Sequence, residues 1–235
     1  MTIDPDILRR LPAFASLSVR DRRSVAAAAS LRTLLADERA FTQGEPVNEI
    51  FLVLSGRIKL VRSGWGREAV VLRIVHPGEL FDLGRGMRGH RHGTTASALQ
   101  DVTLAVWPAP RWQRLVQDMP AVALCLVQIL EHGLTDAQDR FVEIASLDVS
   151  RRIGHSVLRL IDQAGREEAG GVRIDFPITR QDLAGLTGTT LHNVSRILTR
   201  WERQGVIASG RRTLMVRDIP ALMRLANGTE AGPAA

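Results

Sequence analysis

Residues Pro120 to Leu147, PAVALCLVQILEHGLTDAQDRFVEIASL, space their apolar side chains in a way that few elements can use. Ala123, Val127, Leu130, Leu134, Ala137, Phe141 and Ile144 follow one another at intervals of 4, 3, 4, 3, 4 and 3. That register is an a/d seam held over three heptads, with Glu131, Asp136, Asp139, Arg140 and Glu143 outside it. A helix packed on a core also shows such a stripe over two turns. Seven positions in strict register point instead to a two-stranded coil. The chain is therefore expected to form a helix over 120–147 that lies against a second one. Gly133 is a weak position in that helix, although a small residue there would also let a ligand or partner backbone approach.

The residues after this helix carry a different pattern. Thr179 to Leu198, TRQDLAGLTGTTLHNVSRIL, read as two short helices joined by a tight turn. Thr179 can cap the first by accepting from an unpaired first-turn amide, Leu183 and Leu186 give it an apolar face, and Gly188 can end it at positive φ. Thr189 or Thr190 can cap the second. Val194, Ile197, Leu198 and Trp201 then fall on one side, and His192, Ser195, Arg196 and Thr199 on the other, at i, i+3, i+4, i+7. Hydrogen-bonding side chains along an exposed face that starts at a helix N-terminus can reach base edges in a DNA groove. An ordinary surface hairpin of helices is the alternative.

Ile207-Ala208 and Thr213 to Val216 read as short strands around Ser209-Gly210-Arg211-Arg212, so the helix pair is followed by a small hairpin with two arginines near its tip. That is the order of a winged helix, with Arg211 and Arg212 beside a passing phosphate backbone; solvated turn residues are the plainer account. Charge favours the first. Residues 149–217 carry a net charge of +6 and residues 1–148 carry +1, so the basic excess lies where counterion release would use it.

The first 119 residues alternate β-prone runs with glycines. Ile50 to Leu54, Arg57 to Val61, Ala69 to Val75 and Val102 to Val106 read as strands after an opening helical stretch, Ile7 to Ala29. Gly44, Gly56, Gly64, Gly66, Gly78 and Gly84 punctuate them, a spacing that predicts an antiparallel sandwich or roll. The fold class expected is α+β: an N-terminal antiparallel roll (1–119), a long dimerisation helix (120–147) and a C-terminal winged helix-turn-helix (148–235). With 45% apolar and 24% charged residues, the composition is that of a globular protein. No run approaches the ~20 apolar residues of a membrane span, and MTIDPDILRR lacks the basic and apolar regions of a signal peptide, so a cytoplasmic setting is expected. Cys125 is the single cysteine, which excludes an intrachain disulfide and a four-cysteine iron–sulfur cluster.

Roll, dimer helix and winged helix, in that order, resemble the Crp/Fnr family of bacterial transcription regulators over nearly the whole chain. FTQGEPVNEIFLVLSGRIKLV (Phe41 to Val61) and PGELFDLG (Pro77 to Gly84) look like the family's two roll motifs. SLDVSRRIGHSVLRL (Ser146 to Leu160) is similar to its hinge and following helix, and ITRQDLAGLTGTT with VSRIL to its DNA-binding signature. The resemblance implies a regulator without catalytic activity: a homodimer joined along the seam that binds a palindromic DNA operator with half-sites one helical turn apart, with RNA polymerase as a further partner and no membrane role. His192, Ser195 and Arg196 align with an E-x-x-S-R reading set in which His replaces Glu. Arg196 can donate two parallel bonds to a guanine. Arg180 and Gln181 resemble the family's phosphate-contacting pair, to which Thr190, Thr199, Arg211 and Arg212 are added.

The effector site departs from the family. Cyclic-AMP-binding members carry a Gly-Glu pair that meets the ribose, where this chain has Asp82 and Leu83. Their Arg-Ser pair holds the cyclic phosphate, where this chain has His92 and Gly93. Their Thr-Ser pair on the long helix meets the adenine, where this chain has Ala137 and Gln138. Cyclic AMP in the usual mode is therefore not expected. His90 and His92, at i, i+2, would share one face of a strand, the spacing of a roll-type metal site; the third ligand of such enzymes is missing, since Ala96 and Ser97 stand where a Glu would follow. A polar turn at GHRHG is one reading, and haem ligation by one of the histidines is another. Cys125 and His132 are alternative ligands. The TGTTL-x-x-VSR helix is similar to that of nitric-oxide-responsive branches, which fits haem without requiring it. A regulator that binds DNA without an effector, a metal-dependent cupin-like enzyme, and a nucleotide-responsive subunit acting on proteins remain as alternatives.

Overall fold

The computed structural model describes residues 3–9, 11, 14–64, 69–81, 83 and 90–229. The chain divides into two compact units, Met1–Ala137 and Gln138–Ala235.

The first unit is an antiparallel roll with helices on one side. Its strands are β1 (Ser30–Leu34), β2 (Arg39–Phe41), β3 (Glu49–Ser55), β4 (Ile58–Ser63), β5 (Ala69–Val75), β6 (Leu80–Phe81), β7 (Thr95–Ala98) and β8 (Val102–Pro108). They form two four-stranded sheets, ordered β1-β8-β3-β6 and β2-β7-β4-β5. Phe51 and Val53 from the first sheet and Phe41, Ile58, Leu60 and Ala96 from the second meet in one apolar cluster. The rings of Phe41, Phe51 and Phe81 fill its middle, with centroids 5.1 to 6.1 Å apart. Successive residues of a strand face opposite sides, so Ile50 and Leu52 look outward from the same strand that sends Phe51 and Val53 inward. They too are buried, because helices cover that face. Trp107 anchors the cover, donating its indole N–H to Val25 O over 2.8 Å. The turn from β3 to β4 requires Gly56: its φ is +79°, and a Cβ would stand 2.4 Å from Asp101 O.

The opening helical stretch is two helices rather than one. α1 (Pro5–Arg9) and α2 (Val19–Ala27) are separated by turns in which Phe14 N bonds Leu11 O and Leu17 N bonds Phe14 O. Ser18 then starts α2 afresh by accepting from Asp21 N at 3.1 Å. Gly66, Gly84 and Asp82 lie outside the described residues. The sequence reading missed β1, β2, β6 and β7 and placed the ends of β3, β4 and β8 within one or two residues.

After α3 (Ala109–Asp118), α4 (Pro120–Ser146) covers the expected long helix to within one residue. Val122, Cys125 and Leu126 bury one edge of its first turns, with Cys125 Sγ 3.4 Å from Ser16 Oγ. Leu124, Val127, Leu130, Leu134, Phe141, Val142 and Ile144 remain exposed, half of all the large apolar residues exposed among those described. Of the seam, Ala123 alone is half-buried.

The second unit holds α5 (Val149–Ala164), β9 (Gly165–Glu168), β10 (Gly171–Ile174), α6 (Arg180–Thr187), α7 (Leu191–Arg203), β11 (Ile207–Ser209), β12 (Leu214–Val216) and α8 (Ile219–Asn227). Its sheet runs β11-β12-β10-β9, all antiparallel, so the β11–β12 hairpin expected from sequence gains a second, unforeseen one. On that hairpin Arg173 donates to Glu168 over 2.7 Å and holds its carboxyl below the usual range. Asp148 caps α5 through Arg151 N. Arg152 bonds two carbonyls, Leu147 O at 2.8 Å and Thr187 O at 3.0 Å, so one guanidinium ties the residue before the cap to the last turn of α6. Arg159 pairs through both terminal nitrogens with Glu143 near the end of α4.

Candidate nucleic-acid interface

Local cap chemistry sets the two helices that carry the interface. Thr179 Oγ1 accepts from Asp182 N at 3.1 Å, and Asp182 Oδ2 accepts in return from Thr179 N at 3.0 Å. This is a capping box with aspartate as the reciprocating residue. Gly188 closes α6 in the left-handed region, at φ 60° and ψ 43°. A Cβ there would meet only Ile144 Cδ1, at 3.8 Å, so the backbone angle and not space calls for glycine. Of the two threonines offered as the next cap, Thr190 takes the role, accepting from Asn193 N at 3.3 Å, while Thr189 Oγ1 receives the Asn193 side-chain amide at 3.1 Å.

α7 has the two faces that its sequence implies. Val194, Ile197, Leu198 and Trp201 are at most 5% exposed and pin the helix to the unit's core. On the other side His192 and Arg196 are exposed and Ser195 and Thr199 are half-exposed. These four line one open concavity with Arg200, Arg203 and Gln204. The last three were not singled out from the sequence, although Arg200 and Arg203 follow Arg196 and Thr199 at i+4 and extend the basic face by a turn.

The wing is in place, with Gly210 N bonded to Thr213 O at 2.9 Å and Arg211 and Arg212 exposed at its tip. Gln181 is exposed in the first turn of α6. Arg180 is more engaged than expected of a phosphate contact. Its Nη2 lies 2.9 Å from Ser209 Oγ and 3.4 Å from Glu202 Oε1. Glu202 Oε1 also accepts from Ser209 N at 3.2 Å and from the Ser209 hydroxyl. Arg180, Glu202 and Ser209 thus bind the first wing strand to both helices of the motif.

The histidine pair of the roll corrects the sequence reading. His90 and His92 lie outside the strands and differ in burial: His90 is exposed and His92 is 5% exposed. The segment is held by backbone bonds from His92 N to Glu45 O and from Gly44 N to His92 O, both 2.8 Å, and only Arg91 makes a bridge, to Pro46. His92 is the buried member of that segment. Its ring lies parallel to Phe41 at 3.7 Å, as part of the core. Gly93 follows half-buried in a bend, Leu83 packs against the apolar cluster under the helices, and Ala137 and Gln138 are exposed on α4. Ala96, at the expected place of a third metal ligand, is fully buried, and His132 is exposed. Among the described residues no three His, Cys, Asp or Glu side chains are grouped to hold a metal ion, and no helix is long and apolar enough to cross a membrane.

Comparison with known proteins accounts for this architecture. Residues 31–119 match the cyclic nucleotide-binding domain, and residues 151–225 match the Crp-like helix-turn-helix domain. The chain is 30% identical over 189 residues to the cyclic AMP receptor protein of Thermus thermophilus, covering 80% of this chain and 84% of that one. It is 27% identical over 190 residues to the nitrogen fixation regulation protein FixK of Rhizobium meliloti, covering 80% and 82%. A solved Crp/Fnr-family transcriptional regulator of Thermus thermophilus superposes with a TM-score of 0.72 at 25% identity, over 84% of this chain and 98% of that one. The antiparallel roll, the long helix and the winged helix-turn-helix, together with these relatives, make the chain a member of the Crp/Fnr family of DNA-binding transcription regulators.

Proposed function

We propose that the protein is a homodimer that reads a palindromic operator with α7 and is controlled through its roll by something other than cyclic AMP held in the family's mode. One observation carries the DNA-reading part. α7 buries its apolar face and leaves His192, Ser195 and Arg196 on the opposite side, next to its N-terminus. Arg196 donates to O6 and N7 of a guanine, His192 and Ser195 meet neighbouring bases, and Thr190, Thr199, Gln181, Arg211, Arg212 and Arg180 approach phosphates. The exposed seam from Val127 to Ile144 supports dimerisation, since large apolar side chains in a continuous row are rarely left in water.

Residues 1–119 then serve as the sensory part, 120–147 as the dimer helix and 148–235 as the DNA-binding part. The protein acts in the cytoplasm, where its operator is, with RNA polymerase as its partner in transcription. The Thermus relative is named for cyclic AMP. In this chain Leu83 packs into an apolar cluster and His92 under Phe41, so neither offers the contact that the family's ribose and phosphate receive. Of the two histidines offered for haem, His90 alone is exposed.

Selection on randomised half-sites tests the reading. Arg196→Ala is expected to cost ~1–3 kcal/mol per half-site and to relax preference at one guanine. His192→Glu should move preference at one neighbouring base towards the cytosine N4 donor that Glu accepts from. An unchanged selected sequence with Arg196→Ala would mean that α7 is not the base reader.

A further inference from the structure

One apolar side chain of α7 does not join the core. Val194 and Leu198 are buried to 0% and 1% exposure and Ile197 and Trp201 to 5% and 1%, whereas Leu191 is 46% exposed. Helix initiation does not explain it. Leu191 is the first residue after the Thr190 cap, and that position favours proline or an acidic side chain. Position on the helix is more informative. At 3.6 residues per turn, Leu191 stands one turn above Ser195 and beside His192. It therefore borders the hydrogen-bonding stripe at the end of α7 that enters a groove first.

The chemistry of the groove limits what such a side chain can meet. The major-groove edges of the four base pairs are donors and acceptors, apart from one apolar group, the thymine 5-methyl. A leucine held against a guanine or cytosine edge would strip water from polar atoms and return nothing to them. Against a thymine methyl it removes two apolar surfaces from water at once. We propose that Leu191 is a specificity-determining residue that selects one thymine in each half-site through its methyl group. This rests on the reading of α7 as the base-reading helix and adds to it an apolar contact that the polar set does not provide.

The test removes that methyl alone. On the operator selected by the full-length wild-type protein, each thymine of the half-site is replaced in turn by deoxyuridine, and binding is measured for wild type, Leu191→Ala and Leu191→Met. A buried methyl-sized group corresponds to roughly fourfold in affinity. One thymine position should therefore lose about fourfold per half-site with the wild type. The same loss should persist with Leu191→Met, which keeps an apolar tip, and should vanish with Leu191→Ala at that position only.

Melting curves of the three proteins establish that each is folded. Equal weakening by Leu191→Ala on all sequences would overturn the inference in favour of a sugar or phosphate contact. So would a half-site without thymine, or deoxyuridine losses that Leu191→Ala leaves in place. Its failure is distinguishable from failure of the wider reading. If Arg196→Ala still relaxes a guanine while Leu191→Ala couples to no thymine, only this inference falls; if Arg196→Ala changes nothing, the base-reading role of α7 falls with it.

Discussion

Arg180, in the first turn of α6, reaches Glu202, in the last turn of α7, over 3.4 Å, and the two share Ser209 of the wing. A side chain proposed to contact phosphate is thus already partnered by a carboxylate close to where DNA would pass. Glu202→Gln removes that negative charge from beside Arg180, which keeps its 2.9 Å contact to Ser209 Oγ. It is expected to tighten binding to non-specific duplex by about 0.5–1 kcal/mol without moving the selected sequence. Arg180→Ala should weaken specific and non-specific binding alike and lower the slope of log affinity against log salt by about one per protomer. Titrations of both variants at several salt concentrations check the pair. A change in base preference with either would mean that the Arg180–Glu202 contact positions α7 itself.

The apolar row on α4 gives the second prediction. Replacing Leu130 and Leu134 together with Glu sets four carboxylates into the proposed seam of a two-copy assembly. Sedimentation should then give monomers, and operator binding should be lost. Both side chains are exposed in the single chain, so folding of the separate units should survive. A double variant that sediments as a dimer places the interface elsewhere.

Cyclic AMP is the third. Leu83 has no hydrogen-bonding group in its side chain and the His92 ring is buried against Phe41, so titration calorimetry at millimolar nucleotide should show no saturable heat. A micromolar dissociation constant would require a phosphate partner elsewhere in the roll.

The two histidines should behave oppositely. His92→Ala removes a buried ring stacked on Phe41 and should cost roughly 1–3 kcal/mol of stability in urea denaturation of the roll, whereas His90→Ala should leave stability within about 0.5 kcal/mol. If the roll takes up haem through this segment, reconstituted protein shows a Soret band that shifts with nitric oxide and changes with His90→Ala. A flat spectrum after reconstitution removes haem from consideration.

Which parts of this fold could be read from sequence depends on how local their determinants are. The span of α4 is legible because a heptad register is written in consecutive residues. The caps of α6 and α7 are legible because Thr179, Gly188 and Thr190 act on amides within a few positions. β1 was missed because its pattern is weak (only Leu34 is buried) and its pairing of Ser30 with Val106 spans 76 residues. β9, GREE, is exposed at every position and has no apolar alternation to detect. The buried setting of His92 comes from Phe41 on a distant strand, and the Arg180 tether from Glu202 and Ser209. Such long-range partners leave no mark in the local pattern.

Seven large apolar side chains exposed on α4 carry a consequence beyond geometry. If a second copy covers them, the DNA-reading species forms by mass action, and its amount at low expression rises with the square of the protomer concentration. Occupancy of an operator would then respond steeply to how much of the chain is made, and thermal stability would climb as the protein is concentrated. Synthesis rate would itself become an input to the switch, alongside whatever the roll detects.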